Sequence, residues 1–246
     1  MPLKRQRGKT SKREENAKAK FNALLHAASD VVGEFGYVDT SIARITAKAG
    51  VAQGTFYSYF ENRQDLFDQL LPRLGSEMLD FIKERTRGIA DPAERERQGF
   101  IAFFDFIVQN PNFLRVLNEA EQLAPKGHEA HFQLVVAGYL ASLERDWARG
   151  EYPGFERREL EVVVYILLAA RSYLALRYAK DGSEIKPIPG WVTDTYLKFI
   201  NHGLRGQPEA ATPPEPKAVA PKAVAPKAAG PKAVAPKRKA RKARAG

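Results

Sequence analysis

The residues best placed to do chemistry lie in "GVAQGTFYSYFENR", positions 50–63. Phe56 and Phe60 stand four apart, so a helix puts both on one face, turned inward with Val51. The other face then presents Gln53, Gly54, Tyr57 and Ser58, with Thr55 and Tyr59 at its flanks. A short polar face without lysine is unusual for a surface that only meets water. Its chemistry suits a DNA duplex. A glutamine at a helix N-terminus can pair in bidentate fashion with adenine in the major groove. Tyrosine hydroxyls, and the side chains or amides of Thr40 and Ser41, can donate to phosphates on either side. Gly54 would let the helix end approach base edges closely, and Arg63 is placed for a further phosphate. This reading requires Tyr57 to be exposed.

Other chemistries find little support. There is no cysteine, which excludes disulfides, thiolate metal sites and a cysteine nucleophile, and fits a reducing compartment. "HEAH" at 128–131 places His128 and His131 three apart, whereas helical zinc hydrolases need a spacing of four; a surface patch at a helix start is expected instead. No glycine-rich phosphate loop, nucleophile elbow or carboxylate dyad stands out. The expectation is a non-enzyme without cofactor or metal.

The elements that must hold the polar face are helices; strand-type alternation is missing. Ala17, Phe21, Leu24, Leu25, Ala28, Val32 and Phe35 form one apolar stripe, and Gly36 stops that helix. A second helix is expected with Thr40 as N-cap, Ile42, Ile45 and Ala49 inward, and Gly50 as a left-handed C-terminal cap. A third runs from Gln53 to Phe60, and Asn62 caps a fourth with Asp65 in its first turn. The short glycine-hinged link between the second and third makes a helix-turn-helix. Asp91–Pro92 and Asn110–Pro111 read as capped helix starts. Further helices are expected over 63–87, 92–109, 111–123, 128–149, 156–180 and 190–203, about nine in all and no sheet.

Charge is concentrated at the ends. The chain carries 39 basic and 29 acidic residues, net +10. Residues 1–13 hold six cations and no acid, and residues 207–246 carry a net +8, leaving 14–206 at −4. Such ends suit a polyanion, nucleic acid first and an anionic membrane second. Lys4, Arg5, Arg7 and Lys9 are the arm's candidate DNA-backbone contacts. The tail repeats a five-residue unit four times from Pro216; proline at that spacing prevents a helix, so disorder with polyproline character is expected. Three readings of it stand: nonspecific DNA binding, another anionic partner, or a solubilising extension. The start lacks a secretory pattern, and the longest apolar run, Val162–Ala170, is half of what a membrane span needs.

Residues 17–71 resemble the DNA-binding domain of the TetR/AcrR family of transcriptional regulators. The resemblance is carried by "FGYVDTSIARITAKAGVAQGTFYSYFENRQDLF", Phe35–Phe67, with Gly36, Gly50, Gly54, Tyr57 and Phe60 at the family's positions. It implies that Thr40, Ser41, Arg44, Gln53, Thr55, Tyr57, Ser58 and Tyr59 sit where family members touch DNA. Family members usually carry lysine where this chain has Arg63, which keeps the charge with altered geometry. The tail lies outside the family pattern.

Four parts are expected: from composition, a disordered basic arm (1–13) and a disordered basic tail (207–246), and, as the resemblance implies, a helix-turn-helix DNA-binding domain (14–62) and a ligand-binding and dimerisation domain (63–206). Segments 92–109 and 156–180 are apolar nearly all round, so every side of them must be covered. For 156–180 a second subunit is the expected cover, forming a four-helix bundle with 190–203 across a two-fold axis. Two recognition helices then fall about one DNA turn apart, ~34 Å, on a palindromic operator. Candidate pocket residues are Phe103, Phe104, Ile107, Leu117, Phe132, Tyr139, Trp147, Tyr165 and Tyr173, with Glu121 or Arg171 as polar anchors, for an apolar or aromatic small molecule. The expectation is an all-α homodimeric repressor, cytoplasmic and nucleoid-associated, released by a small-molecule effector. The rival is a nucleoid-type architectural protein that works through arm and tail.

Overall fold

The computed structural model describes residues 12–182 and 184–204. The arm residues Lys4, Arg5, Arg7 and Lys9, and the repeat tail, lie outside the described residues. The described chain is all-α in its framework. α1 (Lys12–Asp39) breaks at Gly36, whose φ of 81° is a left-handed value that glycine adopts without strain. α2 (Ile42–Ala49) ends on Gly50 at φ 67° and ψ 31°, the left-handed cap expected there. Its N-cap is Ser41 rather than Thr40: the Ser41 hydroxyl accepts from the Arg44 N–H at 3.2 Å. Thr40 is fully buried, and its hydroxyl donates to the Gly36 carbonyl at 2.6 Å, across the helix break.

α3 is shorter than expected, Gln53–Phe56. Beyond it Ser58, Tyr59 and Phe60 continue as turns bonded to the Thr55 and Phe56 carbonyls, so Phe60 still returns to the core. α4 (Arg63–Thr86) is capped by Asn62, which accepts from the Asp65 N–H at 3.0 Å. Pro72 inside α4 cannot donate to the Asp68 carbonyl. Gly127 packs against that carbonyl: a Cβ there would lie 2.7 Å from it.

α5 (Pro92–Gln109) is capped by Asp91 as expected. Asn110, however, does not start the next helix. Its side chain turns back to the Phe106 carbonyl and closes α5, so α6 begins later, at Phe113–Leu123. α7 begins earlier than expected, at Pro125, and runs to Trp147. The expected 156–180 helix divides into a 3₁₀ turn (Arg157–Glu159), α8 (Leu160–Leu174) and a π-helical turn (Ala175–Ala179). The expectation of no sheet is corrected by a small antiparallel ribbon, β1 (Lys180–Asp181) with β2 (Glu184–Ile185), leading to α9 (Gly190–Leu204).

Helices α1 and α2 pack together, and α1 also packs on α4 and α6; α4 lies against α5 and α7, α5 against α9, and α7 against α8. One apolar core runs through these contacts, from Leu24, Phe56 and Leu66 to Phe100, Val164 and Leu197. α8, the π turn and α9 leave Val162, Tyr165, Ile166, Tyr173, Leu176, Trp191 and Phe199 exposed, Tyr173 at 74% and Phe199 at 72%. An apolar array of that kind calls for a cover.

Candidate nucleic-acid interface and body cavity

The aromatic anchor forms as the four-residue spacing requires. Phe56 and Phe60 are buried with ring centroids 5.3 Å apart, and Phe21 of α1 stacks on Phe60 at 5.2 Å. This fixes the polar side outward. Tyr57 is 60% exposed, with Gln53, Gly54 and Ser58 also exposed. Thr55 and Tyr59 are half-buried, Tyr59 at the edge of Phe21. Among the described residues nothing needs glycine at 54, since a Cβ there would meet no atom within 4 Å. Arg44 is exposed and its guanidinium lies over the Phe35 ring at 4.0 Å. Ser41 is half-buried beside it.

Two sequence-picked residues have prior commitments. Thr40 is removed from the set by its burial: the hydroxyl is spent on Gly36 and no side-chain atom faces outward. Arg63 is exposed, but Nη1 donates to the Thr40 carbonyl at 2.7 Å and to the Val38 carbonyl at 3.3 Å. Its fork therefore pins the α1–α2 turn as well as carrying charge.

In the body, a cavity of about 860 Å³ opens between α4, α5, α6, α7, α8 and α9. Of the expected pocket residues, Phe103, Leu117, Phe132, Tyr139 and Arg171 line it. The others do not. Ile107 is fully buried in the core, and Trp147 donates to the Phe155 carbonyl at 2.8 Å. Phe104 borders a separate hollow of about 250 Å³. Glu121, Tyr165 and Tyr173 are exposed, because their helix faces turn away from the cavity. The periodicity of a helix apolar all round cannot say which side meets a void.

The sequence reading named Arg171 and Tyr139 but missed Glu96 and Tyr196, which hold them. Arg171 is buried, with Nη2 donating to Glu96 Oε1 at 2.6 Å and to the Tyr139 hydroxyl at 2.9 Å. Its Nη1 reaches the Tyr196 hydroxyl at 3.0 Å, and Tyr196 donates to Glu96 Oε1 at 2.6 Å. Burial would lower the Arg171 pKa, but Glu96 and the two tyrosines outweigh it and hold the guanidinium charged. Burial raises the Tyr139 and Tyr196 hydroxyls well above the tyrosine range, so they remain donors. Glu96 had no visible signal, standing in the charged run "ERERQ" that reads as a solvated face. His131 corrects the surface-patch expectation. It is buried against Gly75 and Phe113, lines the cavity, and burial pushes its pKa down to about 4. Lys83, Arg87, Arg145 and Arg149, all exposed, are cations lining the same cavity, Arg87 paired with Glu84 and Arg149 with Asp146.

Residues 24–70 match the family model described as bacterial regulatory proteins, tetR family. That segment is a TetR-family one. It covers the C-terminal part of α1, then α2, α3 and the first part of α4, the elements that carry the polar face. Among relatives, the uncharacterized HTH-type transcriptional regulator YvdT of Bacillus subtilis is 42% identical over 72 residues, 29% of this chain and 37% of that protein. The fatty acid metabolism regulator protein of the same organism is 26% identical over 149 residues, 58% of this chain and 74% of the relative. Solved folds agree along more of the chain. The fatty acid degradation regulator FadR of Bacillus halodurans superposes with a TM-score of 0.63 at 20% identity, covering 81% of this chain and all of that one. FadR from Bacillus subtilis, in complex with stearoyl-CoA, gives 0.62 at 18% identity over 74% and 98% of the two chains.

Proposed function

We propose that this chain is a TetR-family regulator, a homodimeric repressor that reads a palindromic operator and releases it on binding an apolar molecule with an anionic head. Residues 14–62 form the DNA-binding unit and 63–206 the sensing and dimerising unit. The observation that carries the DNA reading is the polar side of residues 53–58, held outward by two buried phenylalanines, with Tyr57 60% exposed. Gln53 reads a base edge, while Ser41, Arg44, Thr55, Tyr57, Ser58 and Tyr59 contact the backbone or neighbouring bases. Gly54 admits the duplex closely, and Arg63 holds the turn beside it.

The uncovered apolar array on α8 and α9 supports the two-fold bundle, for which two copies cover each other. The cavity supports an effector: about 860 Å³ is a drug-sized volume. Apolar walls such as Met78, Phe113 and Leu168 suit a long hydrocarbon, and Lys83, Arg87, Arg145 and Arg149 suit phosphates. A relative crystallised with stearoyl-CoA supports the acyl-CoA class. The buried Glu96–Arg171 cluster is internally neutralised, so the ligand's charge belongs at the exposed cations. Release follows if the ligand binds better to the form with misplaced reading helices; a coupling of ~1–3 kcal/mol changes operator affinity about 5- to 150-fold. α4, running from the reading unit to the cavity, is one lever.

The test begins with selection from a pool of random duplexes. A recovered palindrome, released by stearoyl-CoA and not by free coenzyme A, is the expected outcome. Uniform binding of all duplexes would favour the architectural reading, which the cationic ends support; equal operator affinity with and without stearoyl-CoA would reject acyl-CoA as effector.

A further inference from the structure

α6 has two faces with different employment. Phe113 and Leu117, four apart, help to wall the cavity. Arg115 and Glu119, also four apart, face α1. The pairs are offset by two positions, roughly 200° around a helix, so they lie on opposite sides.

What Arg115 and Glu119 hold is specific. In an unbroken helix the Gly33 carbonyl would accept from the Tyr37 N–H. The break at Gly36 parts them. Arg115 Nη1 donates to the orphaned Gly33 carbonyl at 2.9 Å and to the Glu34 carbonyl at 3.2 Å. Glu119 Oε2 accepts from the orphaned Tyr37 N–H at 2.9 Å, and Glu119 Oε1 accepts from Arg115 Nε at 2.7 Å. The ion pair thus splints the broken helix from outside, supplying one donor and one acceptor where the chain lost both. The fit is close: a Cβ at Gly36 would lie 2.8 Å from Arg115 Nη2 and 3.1 Å from Glu119 Oε2. Four residues beyond Tyr37 stands Ser41, the cap of α2, and then Arg44. Arg63 of α4 grips the same turn through the Thr40 carbonyl.

We infer that Arg115 and Glu119 are positioning residues for DNA reading, and that α6 transmits the state of the cavity to the α1–α2 turn through this splint. The inference rests on the reading of the α2–α3 surface as DNA-facing, and its test has an arm that does not. Amide hydrogen exchange at Tyr37 is measured by NMR in the full chain. Glu119→Ala is expected to lower Tyr37 protection at least about tenfold while Leu25 in the α1 core keeps its own; Glu119→Gln, which retains an acceptor oxygen, restores most of it. Unchanged Tyr37 protection in Glu119→Ala overturns the splint.

Transmission is tested with the duplex recovered by selection. Leu117→Trp, which crowds the cavity wall, is expected to change duplex affinity several-fold in the native background and less than about twofold in the Glu119→Ala background. No effect in the native background, or equal effects in both, overturns transmission. Leu117→Phe serves the same cycle if circular dichroism shows the tryptophan variant unfolded. Should selection recover no preferred duplex, the DNA reading fails, while the Tyr37 measurement still decides the splint.

Discussion

Gly75→Ala tests the packing that joins the cavity to α4. A Cβ at position 75 would lie 2.1 Å from His131 Nδ1 and 2.6 Å from Cε1. The His131 ring is 4% exposed and packed edge-on near Phe113 and Phe132, so it must shift. Alanine in a helix gains about 1 kcal/mol over glycine. Overpacking a buried contact costs about 1–3 kcal/mol. A 2.1 Å approach to a buried ring is a deep overlap, which puts the cost in the upper half of that range, about 2–3 kcal/mol. The net expectation is a loss of about 1–2 kcal/mol, which for a chain of this size is a fall of about 3–6 °C in midpoint. Gly138→Ala is the control: it sits in α7 with no atom within 4 Å of its would-be Cβ, so it should gain roughly 0.5–1 kcal/mol. Urea and thermal melts at one protein concentration read both. In a His131→Ala background the sign should invert, Gly75→Ala becoming stabilising. Equal or greater stability of Gly75→Ala in the native background would refute the reasoning, as would the same penalty once the ring is gone.

Four further outcomes are expected. His131 has a folded pKa of about 4 against an ordinary 6.5, so its contribution is present above pH 6.5 and is lost as pH falls towards 4, up to about 3 kcal/mol. Urea midpoints at pH 7 and 4.5 should converge in His131→Leu. His26, whose pKa is raised by its bond to Glu77, acts with the opposite sign, present in acid and lost as pH rises through its folded value. Phe56→Ala should cost about 3–5 kcal/mol in melts, whereas Tyr57→Ala should stay within about 0.5. Arg171→Met strands the buried Glu96 charge and should cost about 3–5 kcal/mol, with Glu96→Gln added to it recovering part of the loss.

The reading unit was legible because its constraints are local. Glycine in left-handed backbone at 36 and 50, and phenylalanines four apart at 56 and 60, each leave a mark within one or two turns. The helix-start signals worked where a capping side chain had a free N–H to bind, at Asn62 and Asp91. They failed at Asn110, whose amide found the Phe106 carbonyl first. Thr40 and Ser41 were confused because adjacent hydroxyls compete for one cap, and burial decided between them. The cavity was legible only in part, since the polar cluster at its wall is assembled from distant segments: Glu96 from α5, Tyr139 from α7, Arg171 from α8 and, behind them, Tyr196 from α9. A charged or aromatic residue carries no local sign that its partner lies 75 positions away.

The central claim, that the polar side of residues 53–58 reads bases, is tested most directly by Gln53→Ala on two duplexes, the selected sequence and a scrambled one of equal length. The account predicts a loss of about 1–3 kcal/mol on the selected duplex, with the scrambled duplex bound as by the native chain. Equal losses on both, or none on either, would contradict it.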